Sequence, residues 1–345
     1  MDLNISYEYN ADTNFAGCAN QTTIPNGVSG ANSANASSSQ PNANTSEDQN
    51  PTKGEAISTN GGYEIRLSAL THLTSSEDAP AVYFISAISP NALLSIYEAL
   101  NWVPTGRVAV KITTGEPPAS NYLAPKLIGQ LTQKVGGTLV ECNTAYGGSR
   151  ASTAMHLQVA KNHGYTAIAS VDIQDANGSM SLPVKGGLRL TENFVGKNFT
   201  NYNSYLILSH FKGHAMAGFG GAIKNISIGL GSSEGKSWIH SAGNSRTNPW
   251  GGAQDPFLES MAEAGKAVSD YLGNGKRIAY INVMNRLSVD CDCNGNPAEP
   301  DMHDIGILAS IDPVALDQAC IDLLYAAKDS KSLVNRIESK NVSTC

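Results

Sequence analysis

The segment Arg107-Val-Ala-Val-Lys-Ile-Thr113, the helical pattern from Leu123 to Val135, the stop at Gly136-Gly137 and the run Thr138-Leu-Val-Glu-Cys142 together decide the fold class. Each short apolar run bounded by turn residues reads as a buried strand, and the paired glycines end the intervening helix. The same unit recurs outward in both directions. Upstream, Ala81 to Ile88 predicts a strand and Pro90 to Leu100 a helix, with Ser89 or Asn91 available as its cap. Downstream, a loop through Tyr146-Gly147-Gly148 leads to a helix from Ser152 to His163, a stop at Gly164 and a strand from Tyr165 to Val171. In the second half, strands are expected at Tyr205 to Ser209 and Ile278 to Val283, with helices at Asp255 to Leu272 and Pro313 to Ala327. Strands alternating with helices predict an α/β fold: parallel sheets with helices on both faces, as one large or two closely joined Rossmann-like subdomains. Ligands then belong near the strand C-terminal ends.

The 345-residue chain is large enough for a substantial core, and its formal charge of -7 comes with no basic run that could follow a phosphate backbone. Nucleic acid is not expected as a partner. No apolar stretch is long enough to cross a membrane as a helix. Residues 1–56 read as a disordered polar tail or linker, 57–330 as the α/β domain with a subdomain boundary near 180–200, and 331–345 as a C-terminal extension. Phe15-Ala-Gly-Cys18 matches a lipoprotein cleavage box, yet the apolar signal that should precede it is absent. As written the chain reads as cytoplasmic; a start upstream of Met1 would make it a lipoprotein lipidated at Cys18.

Three stretches could carry chemistry. The first is Ser209-His210-Phe-Lys212-Gly-His214-Ala-Met-Ala-Gly218-Phe-Gly220-Gly221-Ala-Ile-Lys224-Asn225, with His240 beyond it. Imidazoles and lysines gather around a glycine-rich turn whose backbone can approach a bound anion closely. The plain alternative is that these are loop histidines and the glycines only shape a turn. Gly231-Ser-Ser-Glu-Gly235-Lys236-Ser237 is no phosphate loop, since Leu230 stands where the first glycine should be and no helix is expected after Ser237. The second stretch is Cys291-Asp292-Cys293, where two thiols one residue apart chelate a soft metal or act in redox chemistry more readily than they close a disulfide. Cys142 and Cys320 are expected as small core residues. The third is Asp304 to Asp322, in which Asp312 caps a helix and Asp317 could point at the site. No G-x-S-x-G elbow is present, which disfavours hydrolysis by a serine nucleophile.

The glycine-rich block, Cys291-Asp-Cys293 and Asp304-Ile-Gly-Ile-Leu-Ala-Ser-Ile-Asp-Pro-Val-Ala-Leu-Asp317 resemble, in this order, three motifs of the bacterial family called domain of unknown function 362, over about residues 60 to 330. His214 to Lys224 and Lys224 to His240 also resemble, in spacing, a block of lactate racemase and its relatives. Those enzymes carry a nickel-pincer nicotinic-acid cofactor on the lysine and use the later histidine as a nickel ligand. Lys111-Ile-Thr-Thr-Gly-Glu-Pro-Pro118 and Tyr146-Gly-Gly-Ser149-Arg150 resemble two further racemase segments, but Gly115 and Ser149 replace an arginine and the catalytic histidine. The racemase proton-transfer set is therefore incomplete.

This resemblance implies that His214 and His240 are metal ligands or acid/base groups and that Lys224 anchors a pyridine-type organometallic cofactor or an anionic substrate. On the chemistry of the residues themselves, Lys212 would hold a carboxylate or phosphate, Gly218, Gly220, Gly221 and Asn225 would cradle the cofactor, and Cys291 and Cys293 would be soft ligands to nickel, zinc or iron. The leading expectation is a metal- or cofactor-dependent oxidoreductase or isomerase acting on a small anionic metabolite. The alternatives are a non-catalytic metal- or cluster-handling protein and a surface-tethered small-anion binding protein.

Overall fold

The structure is a computed structural model that describes residues 80–341 and the short strands β1 (Leu3–Ser6), β2 (Ala56–Ser58) and β3 (Glu64–Arg66). Most of the expected polar tail, with Cys18, and the terminal Cys345 lie outside the described residues.

From residue 80 the chain runs β4 (Ala81–Ile85), α1 (Pro90–Ala99), β5 (Val108–Lys111), α2 (Pro125–Lys134), β6 (Gly137–Glu141), α3 (Thr153–Asn162) and β7 (Val171–Ile173). The hairpin β8 (Ser179–Pro183) and β9 (Glu192–Gly196) follows, then β10 (Ser204–His210), β11 (Lys212–His214), β12 (Gly218–Gly220) and the single turn α4 (Ala222–Lys224). That turn widens into a π-helical turn over Asn225–Gly229. The remainder is α5 (Ser233–His240), α6 (Gln254–Tyr271), β13 (Ile278–Met284), β14 (Gly306–Ser310), α7 (Pro313–Ala326) and α8 (Lys331–Glu338).

An eight-stranded sheet in the order β1-β4-β14-β13-β10-β5-β6-β7 organises these elements, an α/β fold as expected. Strands β13, β10, β5, β6 and β7 are parallel, whereas β14 joins β13 antiparallel and β4 joins β14 antiparallel. The sheet is thus mixed where parallel pairing alone was expected: Gly306–Ser310 is a strand, entered by the loop that follows β13. Neighbouring side chains along each central strand face opposite sides. Tyr205 and Ile207 join a core with α6 and α7, and Leu206 and Leu208 join one with α1 and α2. Two cores, one on each face, explain why these strands are apolar throughout.

Several local expectations find their cause. Ser89 Oγ accepts from Ala92 N at 3.1 Å and so caps α1, and Asp312 accepts from Val314 and Ala315 N to cap α7. Tyr165 to Val171 is not one strand. Gly164, at φ 87°, turns the chain into a 3-10 turn, and the buried Tyr165 hydroxyl donates to Leu123 O at 2.8 Å before β7 begins. The stretch Gly231 to Ser237 does enter a helix, α5, capped by Ser232 Oγ, which accepts from Gly235 N. Its Gly235 serves packing: a Cβ there would lie 1.9 Å from Phe194 O.

The order of the strands places the site. After β5 the chain proceeds to β6 and β7 on one side, while β10 and β13 lie on the other. Such a reversal leaves a crevice at the C-terminal ends of β5 and β10.

Candidate active site

The crevice holds a cavity of about 70 Å³ lined by groups from five segments of the chain. The strand ends supply Glu141 and Lys212, the glycine-rich block His214, Gly220, Gly221, Lys224 and Asn225, helix α5 Lys236, the loop after β6 Tyr146 and Arg150, and the loop after β13 Cys291, Asp292 and Cys293. Folding therefore brings the first two candidate stretches together.

The glycine-rich block is a β11–β12 hairpin followed by the α4 turn, with Lys212 paired to Gly220 and His214 to Gly218. Gly221 is required by contact, because a Cβ would lie 2.3 Å from Asp317 Oδ1. Asp317 accepts from Ala222 N at 2.7 Å, Ile223 N at 2.9 Å and Asn282 Nδ2 at 2.7 Å. It thus caps the turn that carries Lys224 instead of reaching into the cavity. Burial pushes its carboxyl up to about 6, against the pull of these three donors. Gly218, at φ 73°, shapes the hairpin, whereas Gly220 and Gly221 lie on the cavity wall.

Among the described residues, Lys224 Nζ makes no hydrogen bond or ion pair. Burial, followed by the charge of Lys212, brings its pKa down to about 7. A half-buried amine that is about half unprotonated near neutrality is a nucleophile or an anchor for a carbonyl or carboxyl group.

The two histidines differ in tautomer. His214 Nδ1 accepts from the backbone N–H groups of Met216 at 3.1 Å and Ala217 at 2.9 Å, so the neutral ring carries its proton on Nε2. Burial and the neighbouring Lys224 hold its pKa well below the usual value, and the ring is a neutral N–H donor. His240 Nδ1 lies 2.8 Å from Lys236 O and donates to it, leaving a lone pair on Nε2. Burial brings its pKa down to about 4. The ring stacks on Phe257 and stands behind Tyr146, whose hydroxyl is 3.3 Å from both ring nitrogens, so His240 is off the cavity wall.

Asp292, the residue between the cysteines, anchors the other side. Its Oδ1 is 2.9 Å from His210 Nδ1, and its Oδ2 forms an ion pair with Lys212 Nζ at 3.0 Å. His210 Nε2 faces Asn285 O at 2.6 Å, so both ring nitrogens meet acceptors. Burial alone would raise the Asp292 carboxyl, but His210 and Lys212 hold it well below the carboxylate range.

Cys291 and Cys293 are joined by a disulfide, in place of the two thiols expected from their spacing. A turn closed by Asn294 N donating to Cys291 O brings their Cα atoms to 5.3 Å, within bridging reach. His214 and the two sulfurs offer ligand atoms all within 4.8 Å of one another, a spacing one metal ion could span. The bonded sulfurs are not thiolates, however, and the His214 tautomer does not leave a lone pair on Nε2.

A second set of charges was not singled out from sequence as site residues. Lys111, fully buried, donates to Glu141 Oε2 at 2.9 Å, Asn225 Oδ1 at 2.9 Å and Ile112 O at 2.6 Å. Burial lowers the Lys111 pKa. Burial would raise Glu141, yet Lys111 and its neighbouring cations bring it down to about 2. Arg150 reaches Glu116 at 3.0 Å and Glu141 at 3.8 Å. Asn225 is held at both ends, its Nδ2 donating to Ser209 Oγ at 3.0 Å. The available signal was one charge in each of two adjacent apolar strands, Lys111 in β5 and Glu141 in β6. Cys142 and Cys320 are buried free thiols as expected, and Cys142 also reaches the cavity wall.

The model of the family described as domain of unknown function (DUF362) matches residues 108–322, which contain every group just named on the cavity wall. The chain belongs to the DUF362 family. No curated protein matches it. Among solved structures, the lactate racemase apoprotein from Thermoanaerobacterium thermosaccharolyticum is similar at 16% identity and a TM-score of 0.37, over 57% of this chain and 49% of that one. A Thermotoga maritima protein from the Northeast Structural Genomics Consortium is similar at 12% identity and a TM-score of 0.37, over 70% and 58%. The aligned region thus spans about half the length of each relative. Within the DUF362 domain, the cavity gathers Arg150, Lys212, Lys224 and Lys236 against Glu141 and Asp292, although the whole chain is acidic.

Proposed function

We propose that this DUF362 protein is a cofactor-dependent oxidoreductase or isomerase acting on a small anionic metabolite. The observation that carries the reading is the unpaired Lys224 amine, with a pKa of about 7, on the wall of a cavity with more cations than carboxylates. Excess positive charge in a partly dry cleft favours a carboxylate or phosphate. Lys224 supplies the anchoring amine, and the Nε2–H of His214 serves as a hydrogen-bond or proton donor to bound substrate. Lys212, oriented by Asp292, holds the anionic group. Arg150 and Glu141 fix the opposite wall.

The residues fit a cofactor attached through Lys224, with His240 Nε2 offering the lone pair a metal would need once Tyr146 gives way. A metal-bearing pyridine cofactor would supply an electron-accepting centre at that place. The alternative of a metal-handling protein draws on His214, Cys291 and Cys293 and requires the disulfide to be opened first.

Intact mass and elemental analysis of the full chain, purified without chelator beside Lys224→Ala, test the reading. An adduct or metal in the parent chain that Lys224→Ala lacks is the expected result. Exchange of the α-hydrogen of 2-hydroxy acids in heavy water then tests turnover. A parent chain with the bare mass, no metal and no binding of small carboxylates by calorimetry overturns the proposal.

A further inference from the structure

The Cys291–Cys293 disulfide is a poor structural staple. A cross-link stabilises a fold chiefly by shortening the loops open to the unfolded chain, and this one joins residues separated by 2 positions. Its segment is already fixed without it. Glu116 N donates to Asp292 O at 2.8 Å, Ala119 N to Gly295 O at 3.0 Å, and Asp292 is held by His210 and Lys212. The bond therefore adds little to the order of this loop.

The two sulfurs are placed unequally. Cys293 is exposed, whereas Cys291 is 6% exposed, and both line the cavity with Lys212, His214 and Lys224. Cys293 N donates to Cys291 Sγ at 3.3 Å. An N–H donor and nearby ammonium groups stabilise a thiolate more than a thiol. Thiol–disulfide exchange needs an accessible sulfur to attack and a stabilised thiolate to leave. Cys293 meets the first requirement and Cys291 the second.

We infer that Cys291–Cys293 is a reversible thiol–disulfide exchange site that accepts two electrons from a dithiol reductant and releases the Cys291 thiolate beside Lys212 and Lys224. A thiolate of the reductant attacks Cys293 Sγ, the bond between the cysteines breaks, and its electron pair stays on Cys291 Sγ. The second thiol of the reductant, deprotonated, attacks its own sulfur in the mixed disulfide. The electron pair of that bond returns to Cys293, and the reductant departs as an intramolecular disulfide. The protein pair gains two electrons and two protons, and the reductant loses the same. This inference rests on the sulfurs and their neighbours and is independent of any cofactor on Lys224.

The test uses the full chain, oxidised and folded, incubated with dithiothreitol and then alkylated with N-ethylmaleimide for peptide mapping. Cys291 and Cys293 should both be labelled while the buried Cys142 and Cys320 stay unlabelled. Glutathione at the same thiol concentration should open the pair at least tenfold less at equilibrium, because a monothiol cannot close its own ring. With oxidised glutathione, Cys291→Ser should form the mixed disulfide on Cys293 at least tenfold faster than Cys293→Ser forms it on Cys291. A pair that stays closed to dithiothreitol in the folded protein, opening by glutathione equal to that by dithiothreitol, or equal capture by the two variants would overturn the inference. The parent-chain labelling decides the matter if either variant fails to fold.

Discussion

Replacing Lys212 with methionine should move Lys224 part of the way back toward ordinary basicity, since burial, the larger cause of its shift, remains. A Cβ built on Gly220 would lie 3.2 Å from Lys224 Cδ and 3.6 Å from Lys212 Cε, which puts those two carbons no more than about 7 Å apart. The ammonium groups lie one or two bonds beyond those carbons, and unit charges ~7–10 Å apart repel by about 2 kcal/mol at an effective dielectric of ~20, or between one and two pKa units. Asp292 adds to the change, since its charge raises Lys224 and is partly neutralised by Lys212 in the parent chain. At pH 7 a lysine of pKa about 7 is half unprotonated. An ordinary lysine near 10.4 offers about 1 free amine in roughly 2,500. Lower basicity and partial burial reduce the advantage, so Lys224 should label tens to hundreds of times faster than the exposed Lys126. Competitive acetylation at pH 7 with peptide mass spectrometry measures the ratio directly. Lys212→Met should cut it about tenfold or more, and the midpoint of the Lys224 pH profile should move upward. Labelling of Lys224 at the rate of Lys126, or a ratio unchanged by Lys212→Met, would refute the account of this cavity.

Further expectations concern stability. Asp317→Ala leaves two backbone N–H groups and the Asn282 amide without their acceptor and should cost about 3 kcal/mol, seen as a lower urea midpoint at unchanged slope. Gly221→Ala drives a Cβ into Asp317 and should cost a similar ~2–4 kcal/mol, while Gly178→Ala, with open space around it, should show only the smaller penalty of its positive φ. Glu141 has a folded pKa of about 2, below its ordinary value of 4.5, so its contribution is complete above pH 4.5 and is lost as pH falls toward 2. Acid titration of unfolding should show a shallower loss in that window for Glu141→Gln than for the parent. Lys224 has the opposite linkage. The unfolded chain holds its proton between about 7 and 10.5 where the folded chain does not, so stability should rise with pH there, and Lys224→Met should flatten that rise.

The racemase-like spacing singled out Lys224, His214 and His240, of which the first two line the cavity, but it could not tell the two histidines apart. That difference lies in partners. The turn after β11 aims two N–H groups at His214 Nδ1, whereas one helical turn of α5 aims a carbonyl at His240 Nδ1. The Cys-Asp-Cys run stood out in the sequence as a pair of thiols, yet its oxidised form depends on the turn that brings the two Cα atoms to 5.3 Å. Asp317 looked like a site residue because a carboxylate on an apolar helix needs a reason, and the reason is the capping of another element 95 residues away.

The sequence by itself determined the α/β class, the buried parallel strands and the turn at the glycine-rich block, because apolar runs, helix stops and glycine turns are local properties. Tertiary structure alone decided the antiparallel entry of β14 and β4, the Lys111–Glu141–Arg150 network and the meeting of Cys291–Cys293 with Lys224. Those features depend on which strand ends lie side by side in the sheet. Lys111 and Glu141, 30 residues apart in the chain, meet only because β5 pairs with β6, and burial at that junction forces the two charges to satisfy each other.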